Sequence, residues 1–217
     1  MQTLSEENYL KAIFHLEKSG PPKVSVTQIA ESLKVNPPSV IVMLRKLSEK
    51  FLIEYDKRQG ARLSVEGRKV AVEVIRKHRL WEVFLHEKLG FGWEEIHDIA
   101  EQLEHVQHPE LARRLDKYLG CPAFDPHGDP IPNEEGKMVD DPMLKLSDAA
   151  LGQSYRVKSV ADSSKSFLQF MEQMQIGLGT RIEILEKMEY DGSLLIYIQK
   201  RNKAVVSKGF SDNIWVS

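Results

Sequence analysis

Apolar residues recur three and four positions apart along most of the first 120 residues, the spacing that places them on one face of an α-helix. Residues 5–18 show this pattern, with Tyr9, Leu10, Ile13 and Phe14 on one side of a predicted helix. From residue 153 onward the apolar runs become short and β-rich, which is typical of a small barrel. The pattern therefore predicts an α+β fold that is mainly α, with the helices first and a small β-barrel last.

Two short helices and a hairpin follow the first helix. Residues 25–33 predict one helix, and a second begins at Pro37 with Asn36 as its N-cap. A short helix, a tight turn and a second helix form a helix-turn-helix, whose second helix enters the major groove of DNA. Two apolar runs then flank the basic turn 56–60, which predicts the wing of a winged helix. We expect this part to bind double-stranded DNA; the alternative is a winged helix used only for protein contacts.

The next predicted helices carry more apolar surface than isolated exposed helices need. They span residues 65–89, 97–105 and 110–119. Apolar helices outside a DNA-reading part indicate the interface of a homodimer. Residues 121–145 are irregular and rich in proline, which indicates a domain boundary.

Composition indicates the cellular compartment of such a protein and how it would contact DNA. The 217 residues carry a formal net charge of −2, so DNA must be met by a local basic patch. Cys121 is the only cysteine, which excludes an internal disulfide and indicates a reducing compartment. No apolar run approaches the roughly 18 residues of a membrane span, and the N-terminus has no signal-peptide pattern. We therefore expect a cytoplasmic protein without a membrane partner.

The segment 97–105 carries the clearest candidate chemistry. On a helix its acidic and imidazole groups share one face or lie one turn away: His97, Glu101, Glu104 and His105. Carboxylates this close together either repel each other or hold a cation. Oxygen-rich ligands with one imidazole suit Mn(II) or Fe(II). His78 and Glu82, four residues apart on the preceding helix, are a possible second source of ligands. The alternative is an acidic helix face that is merely solvated.

Taken in order, four motifs of this chain resemble the diphtheria toxin repressor / manganese transport regulator family. They are Ile29-Ala30-Glu31-x-Leu33, Arg76-Lys77-His78-Arg79-Leu80, the predicted helix from His97 to His105, and the run from Pro126 to Pro132. The resemblance implies a metal-activated dimeric repressor with a winged helix at 1–73 and a helical metal-binding and dimerisation domain at 74–142. It also implies an SH3-like domain at 143–217, similar to small ferrous-transport accessory proteins.

The resemblance further implies two separate metal sites. The first would use Asn8, Glu101, Glu104, His105 and Asp125. The second would use His78, Glu82, His97 and Asp162. This chain has Asn8 where family members carry Asp or Met, and Lys11 where the two-domain manganese regulators place a ligating glutamate. Because an ammonium cannot coordinate a metal, we expect two separated sites and no binuclear cluster.

The expected function is repression of metal-homeostasis genes, with Mn(II) or Fe(II) as cofactor and no small-molecule substrate. The candidate contacts to operator DNA are Ser5, Thr27, Gln28, Asn36, Pro38, Ser39, Lys46, Lys57 and Arg58. Two rival functions stay open: a winged-helix regulator that answers to a small organic molecule, and a metal-dependent hydrolase. The sequence shows no ordered nucleophile–base set and no phosphate-binding glycine loop, so we expect a protein that is not an enzyme.

Overall fold

The computed structural model describes residues 2–20 and 23–217, which form two compact units. The first unit comprises the residues up to 78 together with 101–113 and 132–137, and the second comprises 79–100, 114–131 and 138–217. The helices within these residues are α1 (Leu4–Ser19), α2 (Val26–Leu33), α3 (Pro37–Glu49), α4 (Val65–Leu89), α5 (Ile96–Leu103), α6 (Leu111–Tyr118), α7 (Lys165–Gln173) and α8 (Lys208–Ser211). None of them is both long enough and apolar enough to cross a membrane.

The strands belong to a two-stranded hairpin in the first unit and to one sheet in the second. They are β1 (Ile53–Asp56), β2 (Gly60–Leu63), β3 (Leu144–Lys145), β4 (Ser154–Val160), β5 (Arg181–Lys187), β6 (Leu194–Ile198), β7 (Asn202–Val206) and β8 (Ile214–Val216). The mainly helical first half and the β-rich last third confirm the predicted order of elements.

The helices of the first unit begin where the sequence supplies a cap. Thr3 and Ser25 each accept a hydrogen bond from the backbone N–H three residues later, at the starts of α1 and α2. Asn36 Oδ1 accepts from Ser39 N at 2.9 Å, and Pro37 is the first residue of α3. These caps place a short helix, a turn and a second helix in succession, which confirms the predicted helix-turn-helix.

The predicted wing is the hairpin β1–β2. The two strands pair antiparallel, with Ile53 opposite Leu63. The carboxylate of Asp56 accepts hydrogen bonds from the backbone N–H groups of Arg58 and Gln59, which closes the turn between the strands. The turn closed by Asp56 therefore leaves its basic side chains exposed to solvent.

Helix α4 matches its prediction, whereas α5 is shorter than predicted. It ends at Leu103, and Glu104 and His105 lie in a following turn that is closed by a hydrogen bond from Val106 N to Leu103 O. The prediction of one helix through residue 105 is therefore wrong. The reason is tertiary, because the side chains of Glu104 and His105 are engaged by α1, as described below.

The second unit contains a six-stranded antiparallel sheet in the order β3-β8-β4-β5-β6-β7. Inward-facing positions alternate along β5 and β6, and α7 adds two buried side chains to the same core. The fully buried members of this core are Leu146, Ala149, Leu168, Met171, Ile182, Ile184, Ile196, Ile214 and Val216. The sequence analysis did not identify β3, β8 or α8.

Candidate metal centres

Lys11 lies at the centre of a first cluster of charged side chains, within the first compact unit. Its ammonium nitrogen is 2.5 Å from Glu101 Oε1 and 2.7 Å from Glu104 Oε2. The Nδ1 atom of His78 is 2.5 Å from the same Glu104 oxygen and 3.4 Å from Lys11 Nζ. The Glu104 side chain is completely buried and that of Lys11 is 13% exposed, so little water screens their ion pair, whereas Glu101 is 37% exposed. Helix α1 thus supplies a cation to a pair of carboxylates.

A second contact from α1 fixes the imidazole of His105. Its Nδ1 atom is 2.6 Å from Glu7 Oε2, and the Glu7 carboxylate also accepts a hydrogen bond from Gln107. With a proton on Nδ1 donated to Glu7, the other ring nitrogen carries a lone pair. This Nε2 atom is 3.5 Å from Glu104 Oε1. A carboxylate that orients an imidazole in this way is the usual second contact of a metal-binding histidine.

Three buried acceptor atoms among the residues predicted for the first site have no hydrogen-bond partner in the described structure. They are Asn8 Oδ1, Glu104 Oε1 and His105 Nε2. A buried polar atom without a partner is rare and costs about 1–3 kcal/mol, so an arrangement that leaves three of them calls for a ligand. An amide oxygen, a carboxylate oxygen and an imidazole nitrogen are donors for a hard or borderline divalent cation. The residues present therefore fit Mn(II) or Fe(II).

A second cluster lies in the other compact unit and joins α4 to the loop after α6. Glu82, Asp125 and His127 each offer one ligand atom, and these atoms lie within 4.8 Å of one another. All three residues are buried, with exposures of 2%, 6% and 4%. The Nδ1 atom of His127 is 3.6 Å from Glu82 Oε2, while Glu82 Oε1 is 3.4 Å from His97 Nδ1. Glu82 therefore connects two imidazoles.

The charges of this second cluster are poorly balanced. Burial and the negative charges of Glu82 and Asp129 raise the pKa of Asp125 to about 7, against the opposing effect of Arg79 and His127. Burial disfavours the charged form of His127, but the hydrogen bond and charge of Glu82 outweigh it and raise the pKa of that imidazole. A carboxyl group whose ionisation is opposed by a neighbouring carboxylate gains from a bound cation.

The backbone around His127 fixes which ring nitrogen faces the cluster. Its Nε2 atom donates to the carbonyl oxygen of Trp93 at 3.1 Å, so Nδ1 is the ring atom that faces Glu82. Nδ1 donates to that carboxylate when the ring is protonated and offers a lone pair to a cation when it is not. Asp125 Oδ1 accepts hydrogen bonds from the backbone N–H groups of His127 and Asp129, at 2.8 and 2.9 Å. The loop thus presents one carboxylate oxygen and one imidazole nitrogen in a fixed arrangement, as a metal site requires.

Gly128 allows this loop to lie against β4. Its φ is +85°, and a Cβ atom built there would be 1.9 Å from the backbone oxygen of Lys158. The neighbouring His127 carbonyl accepts a hydrogen bond from Val160 N at 3.1 Å. Any side chain at position 128 would therefore push the loop away from the strand.

Gly128→Ala should destabilise the protein by about 2–5 kcal/mol, since it combines a left-handed backbone with a backbone clash. Urea denaturation followed by circular dichroism measures this. Gly152→Ala is the matched control, because Gly152 also has positive φ, +71°, but a Cβ there would meet nothing within 4 Å. Equal losses for the two variants would contradict the close approach of the loop to β4.

The structure groups the predicted ligands differently from the sequence. Asp125, predicted for the first site, lies with Glu82 and His127. Asp162, predicted for the second site, accepts a hydrogen bond from Ser164 N at the start of α7, and its role as a ligand stays a prediction. Sequence reasoning did not assign His127 as a ligand, although it stands in the Pro126–Pro132 motif. It also missed Glu7, for which no motif was available.

The residues predicted to contact DNA lie on the winged helix. Most of them are exposed, while Gln28 is half-buried: Ser5, Thr27, Gln28, Asn36, Pro38, Ser39, Lys46, Lys57 and Arg58. Three of them already have structural partners, since the Gln28 and Asn36 side chains help to cap α2 and α3, and Lys46 forms an ion pair with Glu6. Lys57 and Arg58 belong to the turn of the wing. Their contact with DNA stays a prediction.

Known families match the sequence in the order of its parts. Residues 1–61 match the N-terminal DNA binding domain of the iron dependent repressor, and residues 64–133 match its metal binding and dimerisation domain. Residues 144–217 match the FeoA domain. Together these matches cover most of the chain.

Individual relatives agree with these family matches. The diphtheria toxin repressor of Corynebacterium jeikeium (strain K411) is 38% identical over 126 residues, which cover 58% of this chain and 52% of the relative. The chain thus spans about half the length of the first curated relatives it matches. The diphtheria toxin repressor of Corynebacterium glutamicum (strain ATCC 13032) is 31% identical over 193 residues, 83% of each protein.

A solved structure extends the likeness to the whole chain. It is described as a manganese-dependent transcriptional repressor complex with manganese, is 33% identical, and has a TM-score of 0.89 over 97% of this chain and 98% of the other. A winged helix followed by carboxylate–imidazole clusters and a small antiparallel sheet defines a winged-helix protein with candidate metal centres. Within that class the chain belongs to the iron-dependent repressor family, as its family matches and relatives show.

Proposed function

We propose that this chain is a cytoplasmic transcriptional repressor, and not an enzyme, that binds operator DNA as a homodimer when it carries Mn(II) or Fe(II). The observation that carries the proposal is the set of unpartnered buried acceptors on Asn8, Glu104 and His105. Asn8 belongs to α1, the first helix of the winged helix, and the other two follow α5. A cation held by all three would join the DNA-binding part of the chain to the metal-binding part.

The donor atoms favour manganese over softer metals. The first site offers amide and carboxylate oxygens with one imidazole, and the second cluster offers two carboxylates with one imidazole. Neither contains a thiolate or a thioether, the ligands that select softer ions. When bound, the cation supplies positive charge that offsets the carboxylates. Side chains of α1 and of residues 101–105 would then be ligands of the same cation, and Glu7 keeps His105 oriented.

In this proposal the metal controls DNA binding by changing which conformation the protein prefers. A metal shifts the protein toward DNA binding only to the extent that the metal binds the DNA-competent conformer more tightly than the other conformer. In a homodimer, two copies of α3 must reach successive major grooves, and fixing α1 in each winged helix restricts the positions that α3 can take. The exposed starts of the two α3 helices, with the wings, would then contact one operator.

Anaerobic equilibrium dialysis against Mn(II) and Fe(II), combined with DNA binding, tests the proposal. The DNA is a duplex selected from a randomised pool in the presence of each metal, and binding is measured by fluorescence anisotropy with and without that metal. We expect stoichiometric metal uptake and DNA binding that requires it. Tight DNA binding after complete removal of metal, or uptake without any effect on DNA, would overturn the proposal.

Lys11 should determine how many metal ions the first cluster holds. Its ammonium already contacts Glu101, Glu104 and His78, so it fills the place of a second cation. Lys11→Glu should therefore bind one more equivalent of Mn(II) than the unmodified protein, because it replaces the cation with a ligand. Dialysis followed by electron paramagnetic resonance of free Mn(II) measures the number of equivalents.

Lys11→Met is the control for this experiment, because it removes the ammonium without adding a ligand. We expect it to keep the original number of equivalents. An extra equivalent in the Met variant, or none in the Glu variant, would show that Lys11 does not set the number of ions.

A further inference from the structure

Glu6 joins the start of α1 to the end of α3, the recognition helix. Its Oε1 atom accepts a hydrogen bond from Lys50 Nζ at 2.7 Å and lies 3.1 Å from Lys46 Nζ. Lys46 is in the last turn of α3 and Lys50 is its C-cap. The other carboxylate oxygen accepts from Thr3 N at 2.9 Å, which completes the capping box of α1. One side chain therefore holds two helix ends at once.

The buried negative charge of Glu6 stabilises its contacts with Lys46 and Lys50. Its two oxygens together contact two ammonium groups and one backbone N–H, those of Lys50, Lys46 and Thr3. The carboxylate is completely buried, whereas the Lys46 and Lys50 side chains are 48% and 39% exposed. A buried charge tolerates the loss of its partners poorly, so Glu6 holds two partly exposed lysines against α1.

The residue next to Glu6 makes the corresponding contact on the metal side. Glu7 is 3% exposed, and its carboxylate is 2.6 Å from Nδ1 of His105. Consecutive positions on a helix point about 100° apart, so the two carboxylates leave α1 in different directions. The first turn of α1 thus contacts the recognition helix with one residue and the candidate metal ligand with the next.

We propose that Glu6 is the positioning residue through which α1, once fixed at the first metal site, sets the orientation of the recognition helix. The inference rests on the proposed function and adds to it the route from the metal to the DNA-reading element. The competing role for the same contacts is a charge mask, in which Glu6 only neutralises two lysines that would otherwise bind phosphate. The two roles predict opposite changes.

The test is the Glu6→Gln protein, which keeps the shape of the side chain and removes its charge. As a positioning residue, Glu6 should matter for the gain in DNA affinity that Mn(II) produces, and we expect that gain to fall at least about fivefold. The affinity for Mn(II) alone should stay within about twofold, since Glu6 donates no ligand atom in the proposed site. Because coupling is reciprocal, added DNA should also tighten Mn(II) binding less than in the unmodified protein.

A charge mask would act equally with and without metal. In that case Glu6→Gln would raise DNA affinity in both states, leave the gain from Mn(II) unchanged, and steepen the log–log salt dependence by about one unit per freed phosphate contact. Glu66→Gln is the matched control, because it makes the same change of net charge at an exposed residue of α4 that pairs with Lys69.

The outcomes separate this inference from the proposed function. If the unmodified protein shows no gain in DNA affinity with Mn(II), the proposed function fails. If it shows the gain and Glu6→Gln keeps it in full, the positioning role fails while the function stands.

Thermal unfolding of Glu6→Gln confirms that the variant is folded. Lys50→Gln gives a second reading, because it should lower the same gain in DNA affinity. The double variant should lose no more of that gain than Glu6→Gln alone.

Discussion

Glu104→Gln should abolish the response of DNA binding to Mn(II). Glu104 is completely buried, and its carboxylate contacts Lys11, His78 and His105 at 2.7, 2.5 and 3.5 Å. The amide keeps the size of the side chain but removes the negative charge and one strong donor. Because even residues that merely orient ligands change metal affinity about 10–100-fold, the loss of a ligand should weaken Mn(II) binding by about 100-fold or more.

Two measurements check this result. Competition dialysis gives the Mn(II) affinity, and fluorescence anisotropy with a selected duplex gives DNA binding at fixed metal. Glu135→Gln is the control, since it makes the same charge change at an exposed ion pair with Lys137. If Glu104→Gln is folded and still binds DNA as tightly with Mn(II) as the unmodified protein does, Glu104 has no part in the metal response.

The winged helix could be predicted from the sequence because its signals are local. The cap at Asn36, the proline at 37 and the basic turn 56–60 each act within a few residues of the position they determine. The strands β4 to β7 also have long enough β-rich runs to be recognised. In contrast, β3 and β8 have two and three residues, and they are strands only because they pair with each other and with β4.

The membership of the metal clusters could be predicted only in part. Glu101, Glu104 and His105 are close in sequence, so their grouping followed from spacing, although the turn after Leu103 replaces the predicted last turn of helix. Asp125 and His127 come from a loop whose position depends on Gly128, on Arg79 and on the backbone of β4. No local pattern contains that information, which is why Asp125 was assigned to the other cluster.

The same limit applies to the groups that support the ligands. Glu6 and Glu7 look in the sequence like acidic residues in the first turn of a helix, where they interact favourably with the helix dipole. The structure shows both to be buried, with exposures of 0% and 3%, and bonded to residues 40 or more positions away. Their roles depend on long-range packing and become visible only in three dimensions.

Glu82→Gln should remove one equivalent of Mn(II) and leave the other site intact. Glu82 is 2% exposed, and its two oxygens lie 3.4 Å from His97 Nδ1 and 3.6 Å from His127 Nδ1. Removing its charge takes away one of the two carboxylates that would hold a cation in the second cluster. We expect Mn(II) binding at that cluster to weaken by more than about tenfold, by comparison with the effect of residues that only orient ligands.

Metal-dependent stability gives an independent reading of the same variant. A ligand that binds only the folded state stabilises it, by about 2.7 kcal/mol at 100 times its dissociation constant. Since the two proposed sites involve separate ligand sets, Mn(II) should raise the melting temperature of Glu82→Gln less than that of the unmodified protein, but should still raise it through Glu104 and His105. Glu87→Gln on the same helix, exposed and paired with Lys88, should behave as the unmodified protein does. An undiminished number of bound Mn(II) ions in Glu82→Gln would show that Glu82 is not needed to bind Mn(II).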